Sequence, residues 1–576
     1  MSRRVEKRLA LLALLLAVGL MMNLRLAATD SSTEDEQIHL FAGALLLTRG
    51  QTTINLEHPP LAKIAAAAPL LRGGALPPPY VDLWTGNRLG IAVADFAYRN
   101  ALPLHEMLYL GRLPFVFGMI LLGFAVASFV WRYAGPWSSI AAAALTLFSP
   151  LFLAVGHLVH TDLAVTLFAT TAFFAGICAL DESSSPLARY GWPLLSGLLW
   201  GAALLSKYSA VILLAGFGIA VILTSIPGSN SRRRRGVFVL AVAGAIAFAT
   251  LWIGMAVMVR GVDQHLAQRL ASIGTPLDRI LFGSAPLRPL GLYWFGFESF
   301  LGRGAGVAVN YFGGAFSRDG WWFYFPVAFL LKTPLPTLLL LLLSAGMLVL
   351  KRDRLDLALL TPVLLYLFVS IFSTYNIGIR HLLPIYPLLF VWASRLLAPG
   401  EIRHSRTLRI AATILVCATC ARSFVAWPHY MGFFGVQAGS RDTATSLLSD
   451  SNVDWGQDNS RLASLLRARG MLPARVLLMG GSLPEVELGP GFSRLDPDAP
   501  LTPGTYAVSR TLFVELTAYA GLPPESPMRR ELSTIARFSP ASGLRLMELQ
   551  AKGERIATVG NSIDVYLVKR AASGER

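Results

Sequence analysis

Asp35 and Glu36 stand side by side just past the first long apolar run. His39 follows one turn later, and then His58-Pro59-Pro60-Leu61-Ala62-Lys63. Two adjacent carboxylates at a membrane edge are costly to desolvate and need a reason. One reason is a helix start. Ser31, Ser32 and Thr33 are good caps, and Glu34, Asp35 and Glu36 in the first turn suit the positive end of the helix dipole. The other reason is chemistry beside the bilayer, in which a carboxylate takes a proton from a hydroxyl while nearby cations hold a phosphate. Spacing alone leaves both readings open.

Other polar groups invite the same question. Asp162 opens an apolar run after His157-Leu-Val-His160-Thr161 and reads equally as a helix cap or as a second acid. Lys63 follows a Pro-Pro helix start, Arg112 heads the second apolar run, and Lys207 sits between two runs. Lys332 precedes Thr333-Pro334, and Arg380-His381 lies in a Tyr375-to-Pro384 segment. Taken singly, each basic residue reads as a side chain snorkelling to the interface. Taken as a set on one side of a membrane, they are cations for a phosphate. His39 and His58 with Glu36 invite a divalent metal, but the spacing is no metal-ligand signature and a structural role is the plainer reading. The run Asp454-Trp455-Gly456-Gln457-Asp458 reads either as the acidic start of a helix or as a tryptophan face for a sugar ring. In the second reading Asp454 and Gln457 bond the sugar hydroxyls.

These groups need elements to hold them. The chain of 576 residues is 54% hydrophobic and 15% charged, with a mean hydropathy of +0.54. That composition is a polytopic membrane protein and excludes an ordinary soluble enzyme. Apolar runs long enough to span fall near 9–28, 109–130, 137–156, 163–180, 190–206, 208–226, 236–259, 333–350, 356–373, 381–397 and 408–426. They make about eleven transmembrane helices, with 190–226 the least clearly divided. The run that follows Arg3-Arg4 and Lys7-Arg8 reads as a retained first helix, since it is long enough to span. The net charge of +16 comes from dispersed arginines, so nucleic acid is not an expected partner. Cys178, Cys417 and Cys420 all lie in apolar runs, so neither a disulfide framework nor a zinc cluster is expected.

Charge sets the orientation. Arg132, Arg189, Arg232 to Arg235, Lys351, Arg352, Arg354, Arg403, Arg406 and Arg409 fall on connections of one parity, which places them and the N-terminus in the cytoplasm. The opposite side then receives 29–108, the corner at His157–Asp162, Lys207, 260–320, 374–380 and 427–576. It also receives every histidine except His404, together with Lys63, Lys207 and Lys332. Longer outer loops explain part of that histidine bias and less of the lysines. Segment 29–108 is too long for a mere connector, and its apolar stretches at 38–48 and 61–71 suit helices lying in the interface. Trp321 to Phe325 reads as an aromatic belt. The tail 427–576 has strand-like runs at 475–479, 505–509 and 562–568 and a helix at 457–469 closed by Gly470, which together form a small extracytoplasmic α/β domain. The expected division is therefore 1–426 and 427–576.

Together, these motifs resemble the protein O-mannosyltransferase-like enzymes of the GT-C superfamily. The likeness runs through Asp35-Glu36 with His39, His58 to Lys63, Arg112, His160-Thr-Asp162, Ser206-Lys207, Tyr324 to Pro334 and Arg380 to Pro384. It ends, in a bacterial branch, at Asn452 to Asp458. The resemblance implies a GT-C bundle in the cell (inner) membrane and an inverting sugar transfer from a polyprenyl-phosphate donor, on the extracytoplasmic face, to a lipid or protein acceptor. It implies Asp35 as base with Glu36 in support and Asp162 as a second acid. Lys63, Arg112, Lys207 and Arg380 would lie on the donor phosphate. His39, His58, His160, Lys332, His381, Asp454, Trp455 and Gln457 would be sugar or acceptor contacts. The chain departs from the eukaryotic members in lacking an inserted β-trefoil, which leaves the acceptor class open. A flippase or transporter of lipid-linked sugars is the alternative. It would carry charges in the middle of several spans, whereas these spans are clean there. A non-catalytic assembly protein with a degenerate site is a third reading, weakly opposed by the intact Asp35-Glu36 and cation set.

Overall fold

The computed structural model describes residues 3–78, 88–181, 185–306, 310–350, 353–399, 406–480, 483–535 and 538–570. Lys351, Arg352, Arg403 and His404 lie outside them. Each apolar run becomes helix, because a backbone with no water to bond must satisfy itself internally. Among the described residues, six helices are long and apolar enough to cross a membrane: Arg3–Thr29, Leu104–Ala134, Thr161–Ala179, Asn230–Val259, Arg354–Ile371 and Arg406–Ala426. Most of the other expected spans are shorter or broken. Run 137–156 splits at Ser149-Pro150 into Pro136–Phe148 and Pro150–Val155. Run 190–226 divides into Pro186–Leu204 and Ala210–Ser225, with Lys207 in the gap. Tyr324–Lys332 meets the following apolar helix at a 114° bend across Thr333-Pro334. Run 381–397 is an α-helix, Tyr386–Ser394, flanked by 3-10 turns. The protein is thus mainly α and a multi-pass membrane protein.

The two ends of this bundle differ chemically. At one end Arg132 pairs with Asp181 at 2.8 Å, Arg235 donates to the Ala179 carbonyl at 2.7 Å, and Arg395 binds Asp353 and Asp356. At the other end lie Asp162, Arg112, Lys207 and Arg380.

The first long loop folds as Glu36–Arg49, Leu61–Arg72 and Arg88–Tyr98. The first two helices cover the expected apolar stretches 38–48 and 61–71, and they pack against protein, burying Leu40, Phe41, Leu45, Ala66, Ala67 and Leu70 almost completely. Gly43 lets them approach: a β-carbon there would sit 2.1 Å from the Lys63 carbonyl oxygen. The aromatic run at Trp321 to Phe325 is only partly a belt. Trp322 is exposed, but Tyr324 and Phe325 are buried.

After the last apolar helix the chain builds a five-stranded sheet in the order Phe492–Arg494, Ala474–Leu477, Gly504–Ser509, Ile563–Val568, Glu554–Val559. The first three strands are parallel and the last two pair antiparallel. Alternation along Gly504–Ser509 sends Tyr506 and Val508 to one core and Ala507 to the other. Both faces are therefore covered. The helix expected at 457–469 is Asn459–Ala468, and it ends near Gly470, whose φ of 64° needs no β-carbon.

Candidate active site

A cavity of about 720 Å³ opens at the polar end of the bundle. Asp35, Asn55, Glu57, His58, Lys207, Arg380 and His381 line its polar part. Its remaining wall is largely aromatic and aliphatic, with Tyr208, Phe297, Phe300, Phe325, Tyr366 and Phe372 among its residues.

Asp35 occupies the N-cap position of Glu36–Arg49 but makes no side-chain capping bond. Its side chain is 36% exposed and lies 3.6 Å from an Arg380 nitrogen. That is a long ion pair whose carboxylate stays open to the cavity. Arg380 also donates to Asp162 at 3.3 Å and, through Nε, to the Ser451 hydroxyl at 3.0 Å. Asp162 is buried at the head of Thr161–Ala179. It binds Lys207 and holds the His160 ring by donating its backbone N–H to Nδ1 at 3.0 Å. The other nitrogen of His160, Nε2, faces the Val155 carbonyl at 2.9 Å. Lys207 Nζ is also 3.5 Å from His381 Nδ1. One carboxylate thus faces the cavity beside two cations, and a second carboxylate behind them fixes both.

Glu36 turns the opposite way. It holds Arg112 bidentately, at 2.8 and 2.6 Å, and accepts backbone N–H groups from Val159 at 2.9 Å and Thr33 at 3.0 Å. Burial pushes its carboxyl upward, and the Arg112 guanidinium outweighs that, holding it below the usual range. Arg112 spends its remaining donors on the carbonyls of Ala27, Asp30 and Ser31. All five of its N–H groups are therefore satisfied by protein. The resemblance pointed to donor phosphate, whereas the geometry makes Arg112 the clamp of the loop that carries Asp35.

Two of the interfacial lysines also bind backbone carbonyls. Lys63 donates to the carbonyls of Asn55 and His58, both at 2.8 Å; burial pushes it down to about 8. Lys332 donates to Met431 and Asn452 at 2.7 and 2.5 Å and lies against the Phe434 ring. The rings of His39 and His58 sit 5.2 Å apart. Burial drives His39 down to about 3, and His58 falls well below its ordinary value for the same reason. With Glu36 turned to Arg112, no group of three or more His, Cys, Asp or Glu side chains is placed for a metal ion among the described residues.

The 454–458 run binds protein on every side. Ser31 N–H donates to the Gln457 carbonyl at 3.0 Å and Glu34 N–H to the Trp455 carbonyl at 3.2 Å. The Trp455 ring is buried and stacks 4.0 Å from the Arg380 guanidinium. Gln457 bonds the Trp455 N–H and Asp458. Asp454 accepts from Gly456 at 2.9 Å, and burial pushes it up to about 7. Burial would raise Asp458 too, but His429 and Arg461 hold it down at about 2. None of these side chains lines the cavity.

Sequence reasoning passed over Glu57, Tyr208, Tyr375, Ser451 and Asp30. Asp30 binds His157 at 2.9 Å and also Arg461, tying the first loop to the C-terminal unit. Its place beside Asp35 was the available signal.

Comparison with known proteins adds the following. Residues 108–253 match the family described as dolichyl-phosphate-mannose-protein mannosyltransferase. The search of curated proteins found no match. Among solved structures, ArnT from Cupriavidus metallidurans bound to undecaprenyl phosphate aligns over 98% of this chain and 99% of its own, at 13% identity and a TM-score of 0.47. The oligosaccharyltransferase AglB from Archaeoglobus fulgidus, in complex with an inhibitory peptide and a dolichol-phosphate, aligns over 72% of this chain and 56% of its own, at 12% identity and 0.41. The S. cerevisiae Pmt1–Pmt2 complex bound to the sugar donor aligns over 44% and 34%, at 18% identity and 0.36. The family match takes in Arg112, His160, Asp162 and Lys207, and across that stretch the chain carries the glycosyltransferase likeness that its motifs pointed to.

Proposed function

We propose that this protein is an integral-membrane glycosyltransferase that moves a sugar from a polyprenyl-phosphate donor to an acceptor hydroxyl or phosphate group. The observation that carries this reading is the cavity itself: Asp35 faces Lys207 and Arg380 across one end, and a largely aromatic and aliphatic wall forms the rest. Asp35 takes the acceptor proton. The acceptor oxygen forms its bond to the anomeric carbon from the face opposite the phosphate, and the anomeric carbon–phosphate oxygen bond breaks, so configuration inverts. The polyprenyl phosphate leaves with the bonding electrons, and Lys207 and Arg380 stabilise its charge. Asp162 keeps both cations in place, and the aromatic wall accommodates the first isoprene units.

In this reading residues 1–426 are the catalytic membrane domain and 427–576 a domain on the extracytoplasmic face of the cell inner membrane, with the N-terminus in the cytoplasm. Donor, membrane lipids and a lipid or protein acceptor are the partners. The test is transfer by purified protein in nanodiscs supplied with polyprenyl-phosphate-mannose, -glucose or -aminoarabinose, followed by mass spectrometry of candidate acceptors. Release of polyprenyl phosphate coupled to acceptor modification is expected. Movement of lipid-linked sugar between leaflets with the phosphate bond intact would favour the transporter.

A further inference from the structure

The segment just after the last apolar helix grips both halves of the candidate site. Toward Arg380, the Ser451 hydroxyl accepts Nε at 3.0 Å and donates to the Ile377 carbonyl at 3.0 Å. The Asn452 side-chain oxygen accepts the Ile379 N–H at 3.0 Å. The guanidinium carbon of Arg380 lies over the Trp455 ring, 4.0 Å from its centroid. The approach is close enough that a β-carbon at Gly378 would meet Ser451 Oγ at 2.2 Å. Toward Asp35, the Trp455 carbonyl accepts the Glu34 N–H at 3.2 Å. One short segment therefore bonds to the loops that carry both members of the Asp35–Arg380 ion pair.

We propose that Trp455 and Ser451 are positioning residues for Arg380, so that the C-terminal unit completes the donor-phosphate site without touching the donor. The inference rests on the phosphate role given to Arg380 above. On its cavity side Arg380 makes a long ion pair to Asp35, while the buried Asp162 holds it at 3.3 Å from behind. An arginine held so loosely in front must be oriented from behind, and a flat aromatic face with one hydroxyl on Nε does that. The contacts of this segment with Arg380 itself are the tryptophan ring and the Ser451 hydroxyl.

The experiment is a double-mutant cycle on the full-length protein in nanodiscs, read as affinity for undecaprenyl phosphate as the probe. Arg380→Ala should weaken binding strongly. Trp455→Ala should weaken it roughly tenfold, and Trp455→Phe, which keeps a flat ring, should recover most of that. Ser451→Ala, the loss of one oxygen atom, tests the same point if the tryptophan variant folds poorly; it should weaken binding roughly threefold to tenfold. In the Arg380→Ala background neither change should weaken binding further. Losses that multiply across the two backgrounds, or unchanged affinity in both Trp455→Ala and Ser451→Ala, overturn the positioning role while leaving the phosphate role standing. Unchanged affinity in Arg380→Ala strikes the phosphate role itself and this inference with it.

Discussion

Asp35 and Glu36 are adjacent in sequence and opposite in fate. Neighbours on a helix diverge by about 100°, so one carboxylate reaches the cavity and the other locks Arg112. Glu36→Gln would leave a buried guanidinium without its counter-charge, a loss on the order of 3–5 kcal/mol. The expected result is a lower thermal-unfolding midpoint of purified protein, with donor KM unchanged in whatever remains folded. Asp454 gives a second residue-scale prediction. Burial raises its carboxyl to about 7, so the folded state binds this proton more tightly than the unfolded state. Its contribution to stability is therefore full below about pH 4 and is lost as pH rises through about 7. Asp454→Asn mimics the protonated form, and unfolding midpoints measured from pH 4 to 8 should fall less steeply in the variant than in the parent protein.

At the scale of elements, close backbone approach does much of the positioning. Gly43 brings Glu36–Arg49 against Leu61–Arg72, and that contact fixes the Asp35 end of Glu36–Arg49 relative to His58. Gly43→Ala should cost roughly 1–3 kcal/mol through overpacking and lower transfer by displacing the loop, as read from unfolding midpoint and turnover together. The helices themselves were legible from the sequence, since a hydropathic run is a local property. Their breaks at Ser149-Pro150 and Thr333-Pro334 were marked by proline. The roles of Arg112, Lys63 and Lys332 were not legible. Their partners include the carbonyls of Ala27, Asp30, Asn55, His58, Met431 and Asn452, and every residue carries a carbonyl. A buried cation bound this way reads in sequence like one waiting for a phosphate. Tyr208 and Tyr375 escaped notice for the converse reason: single aromatics beside apolar runs look like core.

For the whole molecule, the arginine-rich end and the cavity end of the bundle are separated by spans, and the C-terminal unit sits at the cavity end, on the Asp30 and Arg380 loops. The positive-inside rule then predicts that the cavity end faces away from the cytoplasm. In a variant stripped of Cys178, Cys417 and Cys420, a cysteine replacing exposed Ser533 should react with a membrane-impermeant thiol reagent from outside intact cells. One replacing Ser229, beside the four arginines, should react only after lysis. The reverse pattern would place the cavity in the cytoplasm.

The central claim is that Asp35 is the base of a sugar transfer. Purified Asp35→Asn protein should bind undecaprenyl phosphate as the parent protein does and should unfold at the same temperature. Its transfer from whichever polyprenyl-phosphate sugar the parent protein uses should fall by roughly a hundredfold to ten-thousandfold. Turnover within a few-fold of the parent protein would contradict the account.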